Sequence, residues 1–185
     1  MIQVDLHNAL ALRAAGRYAE AFPALRRAAR AGNPEAMGLL GIAFQRGEGI
    51  PPRSDSAIFW LRAAAYKRDG RGMIALGSAY QFGDGVNRNL SLAQHWYHKA
   101  ADEQRSAEAM LSLANLYRGA RNYGTALVWY RNAARAGSLD ARIEAAQMYE
   151  EGQATPQHSE EPHCLYRTAA EGGSARGMFI MGEIF

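Results

Sequence analysis

The sequence contains a single cysteine, Cys164. No internal disulfide can form, and a cysteine-rich zinc site is excluded, because such a site needs several thiolates converging on one ion. Lysine is almost as scarce: only Lys67 and Lys99 occur, and arginine supplies the rest of the 21 basic residues. Long hydrophobic runs are missing too. No stretch reaches the roughly 18 consecutive apolar residues that a spanning helix needs. The start, "MIQVDLHNALALRAAG", has no basic opening, and Asp5 interrupts its short apolar run. It does not read as a signal peptide, which implies a cytoplasmic chain, or a periplasmic or secreted one whose leader has been removed.

What is present is ordinary for a folded domain. Hydrophobic residues make up 48% and charged residues 21% of the 185 positions, which argues against wholesale disorder. The net charge is +3, unevenly spread: residues 1–92 hold twelve Lys and Arg against seven Asp and Glu, and residues 93–185 hold nine against eleven. Such asymmetry can steer the approach of a partner without identifying it.

The informative feature is repetition. "GEGI" at Gly47–Ile50 returns as "GDGV" at Gly83–Val86, 36 residues later. At the same offset Gly41 matches Gly77, Phe44 matches Tyr80, Ala57 matches Ala93, Trp60 matches Trp96, and Ala64–Ala65 match Ala100–Ala101. Each unit carries two apolar patterns of helical period. Met37, Leu40, Ala43 and Phe44 mark one first helix; Ile58, Trp60, Leu61, Ala64 and Ala65 mark the second helix that follows. Short connections imply antiparallel hairpins. The Gly-x-Gly cluster then reads as helix punctuation: Gly47 and Gly83 end a helix in the left-handed conformation, and Gly49 and Gly85 let the chain turn back. Ser or Asn in "PRSDSA" and "NRNLSLA" are candidate N-caps for the second helices. A phosphate loop is excluded. No third fingerprint glycine and no Lys-Ser/Thr pair follow, and the preceding segment has a helical period.

Two further units have altered loops. One, from Ala107 to Gly137, keeps Ala114, Tyr117, Ala126 and Trp129; the other, from Leu139 to Gly173, places Leu165 where the tryptophan stood. The N-terminus reads as a shorter hairpin, with Pro23 near the start of its second helix. "SARGMFIMGEIF" reads as one more first helix with little polar face, which suggests a fragment or an end that packs on another molecule, including a second copy. The expected fold is all-α: an α/α solenoid of stacked hairpins in one domain, residues 1–185. Its units fall near 3–32, 33–69, 70–105, 106–137 and 138–173, with a partial, unpaired helix at 174–185. Small residues at Gly41, Gly77, Ala114, Ala146 and Gly182 should allow close helix approach, and Trp60, Trp96 and Trp129 should fill the space between helices.

The pattern Ala36, Leu40, Gly41, Phe44, Gly47, Gly49, Ile50, Ala57, Trp60, Ala64, Ala65 resembles the Sel1-like repeat, and it recurs from Leu76 to Ala101. "GRYAEA" and "RNYGTA" look more like the related tetratricopeptide repeat. The resemblance implies a right-handed superhelical α/α solenoid, and an adaptor that binds another protein, with first helices lining the concave face. On that face it places Ile42, Gln45, Arg71, Ile74, Ser78, Gln81, Leu111, Asn115, Arg118, Ile143 and Gln147, with Glu35, Gly38, Glu108, Asp140 and Glu150 beside them. Some bacterial members that resemble this chain are immunity proteins that block a secreted toxin, which is the alternative role.

Catalysis has little support. His95 and His98 lie one turn apart but lack a third ligand. His158, His163 and Cys164 surround a loop with Pro156 and Pro162, at a register unsuited to a base–nucleophile pair. No catalytic residue, metal or cofactor is expected. A nucleic-acid role through Arg13, Arg17, Arg26, Arg27 and Arg30 is the weaker alternative, because a net +3 is slight and no recognition motif accompanies it.

Overall fold

The computed structural model describes residues 2–153 and 162–184. These form eleven helices and no strand: α1 (Ile2–Ala14), α2 (Tyr18–Arg30), α3 (Pro34–Arg46), α4 (Ser54–Tyr66), α5 (Gly70–Phe82), α6 (Leu90–Gln104), α7 (Ala107–Gly119), α8 (Tyr123–Arg135), α9 (Leu139–Glu150), α10 (Pro162–Glu171) and α11 (Ala175–Ile184). The chain forms two compact bodies, residues 1–104 with α1–α6 and residues 105–185 with α7–α11. Within each body a helix packs first on its hairpin partner and then on the next hairpin. The result is an all-α solenoid of helical hairpins.

Local chemistry sets the helix starts. Each first helix from α3 onward is entered through a polar side chain that accepts a backbone N–H three residues on. Asn33 Oδ1 takes Ala36 N at 2.9 Å, and Asp69 Oδ2 takes Gly72 N at 2.7 Å. Ser106, Ser138 and Ser174 Oγ take the N–H groups of Ala109, Ala141 and Gly177 at 3.3, 3.2 and 3.2 Å. Each satisfies a donor that the first turn leaves open. The second helices meet the expectation only in part. Asn89 caps α6 by accepting Leu92 N at 3.0 Å, but Ser54 is the first helical residue of α4, and Arg53 precedes it without a side-chain cap. Pro23 also sits deeper than expected. The helix α2 begins at Tyr18, so Pro23 lies inside it and withholds the N–H that would bond to residue 19.

The Gly-x-Gly clusters act twice. Gly47 and Gly83 close α3 and α5 at φ +72° and +83°, where a Cβ is disfavoured. Gly49 and Gly85 press on the preceding hairpin: a Cβ would lie 2.6 Å from the Tyr18–Ala19 backbone at one and 2.8 Å from Ser54 Cβ at the other. Backbone bonds Arg53 N to Phe44 O and Asn89 N to Tyr80 O, 2.9 and 2.8 Å, close the two loops.

The core follows the small-residue positions. A Cβ on Gly41 would lie 2.6 Å from Leu61 Cδ2, and one on Gly77 would lie 2.7 Å from Tyr97 Cε1. In the second body Ala114 shares a buried cluster with Tyr130, and Ala146 shares one with Tyr166. Gly182 departs from this series: among the described residues nothing lies within 4 Å of the point a Cβ would occupy there. Trp96 is buried, edge-on to Tyr66 at 5.7 Å, with Lys99 Nζ 5.3 Å from its ring centroid. Trp60 and Trp129 are only half-buried, each against a core cluster.

Two stability outcomes follow. Trp96→Ala should cost about 3–5 kcal/mol in chemical denaturation, the range for a deleted buried aromatic; an unchanged midpoint would show that the indole is not core. Arg105→Gly should stabilise. Arg105 holds φ +49° just before an N-cap, where other hairpins carry Gly32, Gly137 and Gly173 at φ +93°, +99° and +90°. Relief of left-handed strain less the added unfolded-state entropy leaves a gain of up to about 1 kcal/mol, visible as a higher midpoint.

Candidate protein-interaction surface

Counting from the N-cap of each first helix brings the expected contact residues into register. Gly38, Ile74, Leu111 and Ile143 occupy one equivalent position; Ile42, Ser78, Asn115 and Gln147 the next; Gln45, Gln81, Arg118 and Glu150 the third. Equivalent positions have different fates.

In the first body, α3 and α5 lie directly against each other, closer than α4 and α6, which meet where Tyr66 packs on Trp96. Ile42, Gln45, Ile74 and Ser78 are half-buried along this α3–α5 row. Arg71 reaches from α5 to Glu35 on α3 at 2.8 Å. Both side chains are well exposed, so the pair adds little stability. Gln81 is engaged: its Oε1 accepts the Tyr97 hydroxyl at 2.8 Å, and its carbonyl accepts Arg88 Nε at 3.1 Å. Gly38 is buried, because a Cβ there would come within 2.3 Å of Asp69 Oδ2. It belongs to the framework. Burial raises the Asp69 carboxyl above its usual range, against the opposing pull of Gly72 N–H.

In the second body the polar positions are cross-linked. Arg118 on α7 bridges Glu144 at 2.6 Å and Glu151 at 3.2 Å. Arg176 on α11 holds the other oxygen of Glu144 at 2.7 Å and Gln147 Oε1 at 3.1 Å. Asn115 Oδ1 accepts the Tyr130 hydroxyl at 2.6 Å. Ile143 is fully buried with Ala146, Tyr166 and Ala169, so its expected role in apolar contact with a partner is corrected: it is core. Leu111 is half-buried.

Sequence reasoning assigned no partner to the tyrosine hydroxyls. Tyr97, Tyr130 and Tyr166 directly follow the Trp96, Trp129 and Leu165 positions, and each is at most 2% exposed. A buried phenol needs a partner for its O–H, and each finds one on its own first helix: Gln81, Asn115 and, at 2.7 Å, Glu150. Burial and the neighbouring Glu150 carboxylate together raise the Tyr166 phenol above its usual range. The signal was legible in "WY", "WY" and "LY", where the second unit has "WL" with Leu61.

The other candidates are scattered. His95 is exposed, edge-on to Trp96 at 5.2 Å. Cys164 is exposed. Pro156, His158 and Phe185 lie outside the described residues, as does the side chain of His163. Among the described residues no three His, Cys, Asp or Glu gather as a metal site, and no helix is long and apolar enough to cross a membrane. The arginine cluster of the first hairpin is partly neutralised: Arg13 pairs with Glu48, and Arg17 with Glu20 at 2.6 Å.

The hairpin geometry has a counterpart among known proteins. The Sel1 repeat model matches residues 34–69, 70–104 and 107–138, more than half of the chain. The chain belongs to the Sel1 repeat family. Sel1 repeat proteins are generally protein–protein interaction modules. A Sel1 repeat protein from Oxalobacter formigenes is similar at 27% identity and TM-score 0.78, over 96% of this chain and 74% of that one. The protective antigen c5321 of uropathogenic Escherichia coli strains, which displays an SLR fold, is similar at 29% identity and TM-score 0.82, over 99% of this chain but 41% of that one. No curated protein matches the chain.

The tyrosine clasps are testable as a cycle. Asn115→Ala should destabilise by about 1–3 kcal/mol, because the buried Tyr130 hydroxyl loses its acceptor. Tyr130→Phe in that background should recover part of the loss in thermal or urea melts. Additive losses would show that the two groups are uncoupled.

Proposed function

We propose that this Sel1 repeat chain is a non-catalytic interaction module that holds a segment of a protein partner along the α3–α5 row. The carrying observation is that α3 packs on α5 more closely than α4 packs on α6. In a stack of hairpins the more closely spaced row lies on the inside of the bend, so the first helices line the concave side of this body. The side chains there support the reading. Ile42 and Ile74 offer apolar contact, and Gln45 and Ser78 offer uncharged hydrogen-bonding groups, a combination suited to an extended peptide or a folded loop. Gln81 serves the fold first and enters the contact surface only as its fixed polar edge.

The test uses the protein as bait in nuclease-treated lysate at about 150 mM salt, near physiological ionic strength. Gln45→Arg and Ser78→Arg place bulk and charge on the row without touching a tyrosine clasp. The expected outcome is one or more proteins captured by the wild type and lost from both variants, whose melting is unchanged. Equal capture by all three baits would refute the row as the contact surface. Stoichiometry separates the roles: a single partner held one-to-one and tightly indicates a blocking, immunity-type inhibitor, whereas several weaker partners indicate an adaptor. Capture that disappears with nuclease would transfer the role to the exposed Arg26, Arg27 and Arg30 of α2.

A further inference from the structure

The hairpin α9–α10 breaks the repeat at two positions, and both breaks line one cleft. Four residues after the N-cap the first helices carry Met37, Met73, Met110 and, in α11, Met178; α9 carries Arg142. Met37 and Met73 are core residues, 7% and 0% exposed. In the second helices the position of Trp60, Trp96 and Trp129 is taken in α10 by Leu165. Arg142 and Leu165 both face a cleft of about 620 Å³ among α8, α9 and α10, within the second body. The physical consequence is direct. Replacing an indole by an isobutyl group removes wall volume, and replacing a thioether by a guanidinium sets a permanent charge into the opening.

The charge there is local. Residues 105–185 carry eight arginines against nine carboxylates, yet among the described residues the cleft lining holds Arg135 and Arg142 with Glu171 as the one carboxylate, beside Arg131, which has an interaction of its own. Arg142 is half-buried, and its Nη1 donates to the Thr168 carbonyl at 3.1 Å. That bond orients the planar group from one side. A guanidinium has five donors in a fork that fits a carboxylate bidentately, and a partly desolvated charge is held best by an opposite one.

We propose that this cleft docks an acidic segment of a protein partner, with an Asp or Glu carboxylate on Arg142 and a neighbouring apolar side chain against Leu165 in the space the tryptophan would fill. The cleft has the size of sites that take a few residues of peptide. The proposal rests on the reading of the chain as a protein-binding module but concerns a different face from the α3–α5 row. Its test needs no protein partner, so the two readings fail separately.

Cys164 supplies the handle, because it is exposed, lines the cleft and is the sole thiol. Three probes are made as mixed disulfides with cysteamine: 3-mercaptopropionyl-Leu-Asp-amide and its Leu-Asn and Leu-Lys counterparts. The Cys164 thiolate attacks the probe sulfur, forms the protein–probe disulfide and expels cysteamine. Capture is read by intact mass as 2-mercaptoethanol is raised. The Asp probe should survive about tenfold more reductant than the Asn probe, the scale of one charge-assisted hydrogen bond, and the Lys probe should be the weakest. Arg142→Met restores the residue found in the other hairpins, so it should melt no lower than the wild type while losing the Asp preference. Equal capture of Asp and Asn, capture of neither, or a preference that survives Arg142→Met would each overturn the assignment.

Discussion

The structure depends on one steric constraint: α3, α5, α7 and α9 carry nothing larger than a methyl group where the second helix crosses them. At Gly41 and Gly77 a single Cβ would penetrate Leu61 or Tyr97, and alanine is the largest residue at the equivalent Ala114 and Ala146. Close approach places a large residue of the second helix at the hairpin's centre, and contact of this density is what dispersion and apolar burial reward. Where that residue is leucine, nothing further is required. Where it is tyrosine, the buried hydroxyl demands an acceptor, and the first helix must provide one on its outer edge. The polar residues Gln81, Asn115 and Glu150 therefore follow from the packing at the crossing point.

This dependence explains what could be read from the sequence. Helix punctuation, small residues and tryptophans recur at a fixed interval because they obey local rules: a left-handed helix end, a crossing point, a cavity of set size. Periodicity alone places them, and the Sel1 resemblance adds the name. The outward positions obey no such rule. Ile74 and Ile143 are equivalent in register, yet Ile74 is half-buried and Ile143 is sealed between Tyr166 and its neighbours. Arg118 is equivalent to Gln45 and Gln81, but Glu144 and Glu151, 26 and 33 residues away, hold it. Such partners are set by the relative rotation of successive hairpins, which composition and spacing do not encode. Pro23 failed for a different reason: proline marks a helix start by propensity, and here α2 had already begun five residues earlier.

The same logic changes how a surface residue should be judged in a chain of this kind. A half-buried polar group on a first helix is first a candidate for closing an internal bond, and only what remains after that subtraction is free to specify a partner. In the first body subtraction thins the contact set to Ile42, Gln45, Ile74 and Ser78. None of these is charged, so specificity along the row depends on shape and hydrogen-bond direction.

Repetition also supplies a reference state that a non-repeating fold lacks. Each hairpin is a control for the others, and a departure at a framework position must be accommodated by the same neighbours that seat the usual residue elsewhere. A methionine replaced by arginine inside such a framework loses apolar contact and brings in a charge that must be hydrated or paired. When the facing tryptophan is also lost, the two changes do not compensate each other, because leucine neither fills the space nor meets the guanidinium. Both line one opening, while the crossing point beneath it, Ala146 against Tyr166, stays intact. The hairpin has kept the constraint that holds it together and altered only the layer above, which is where a repeat scaffold is free to acquire a binding site.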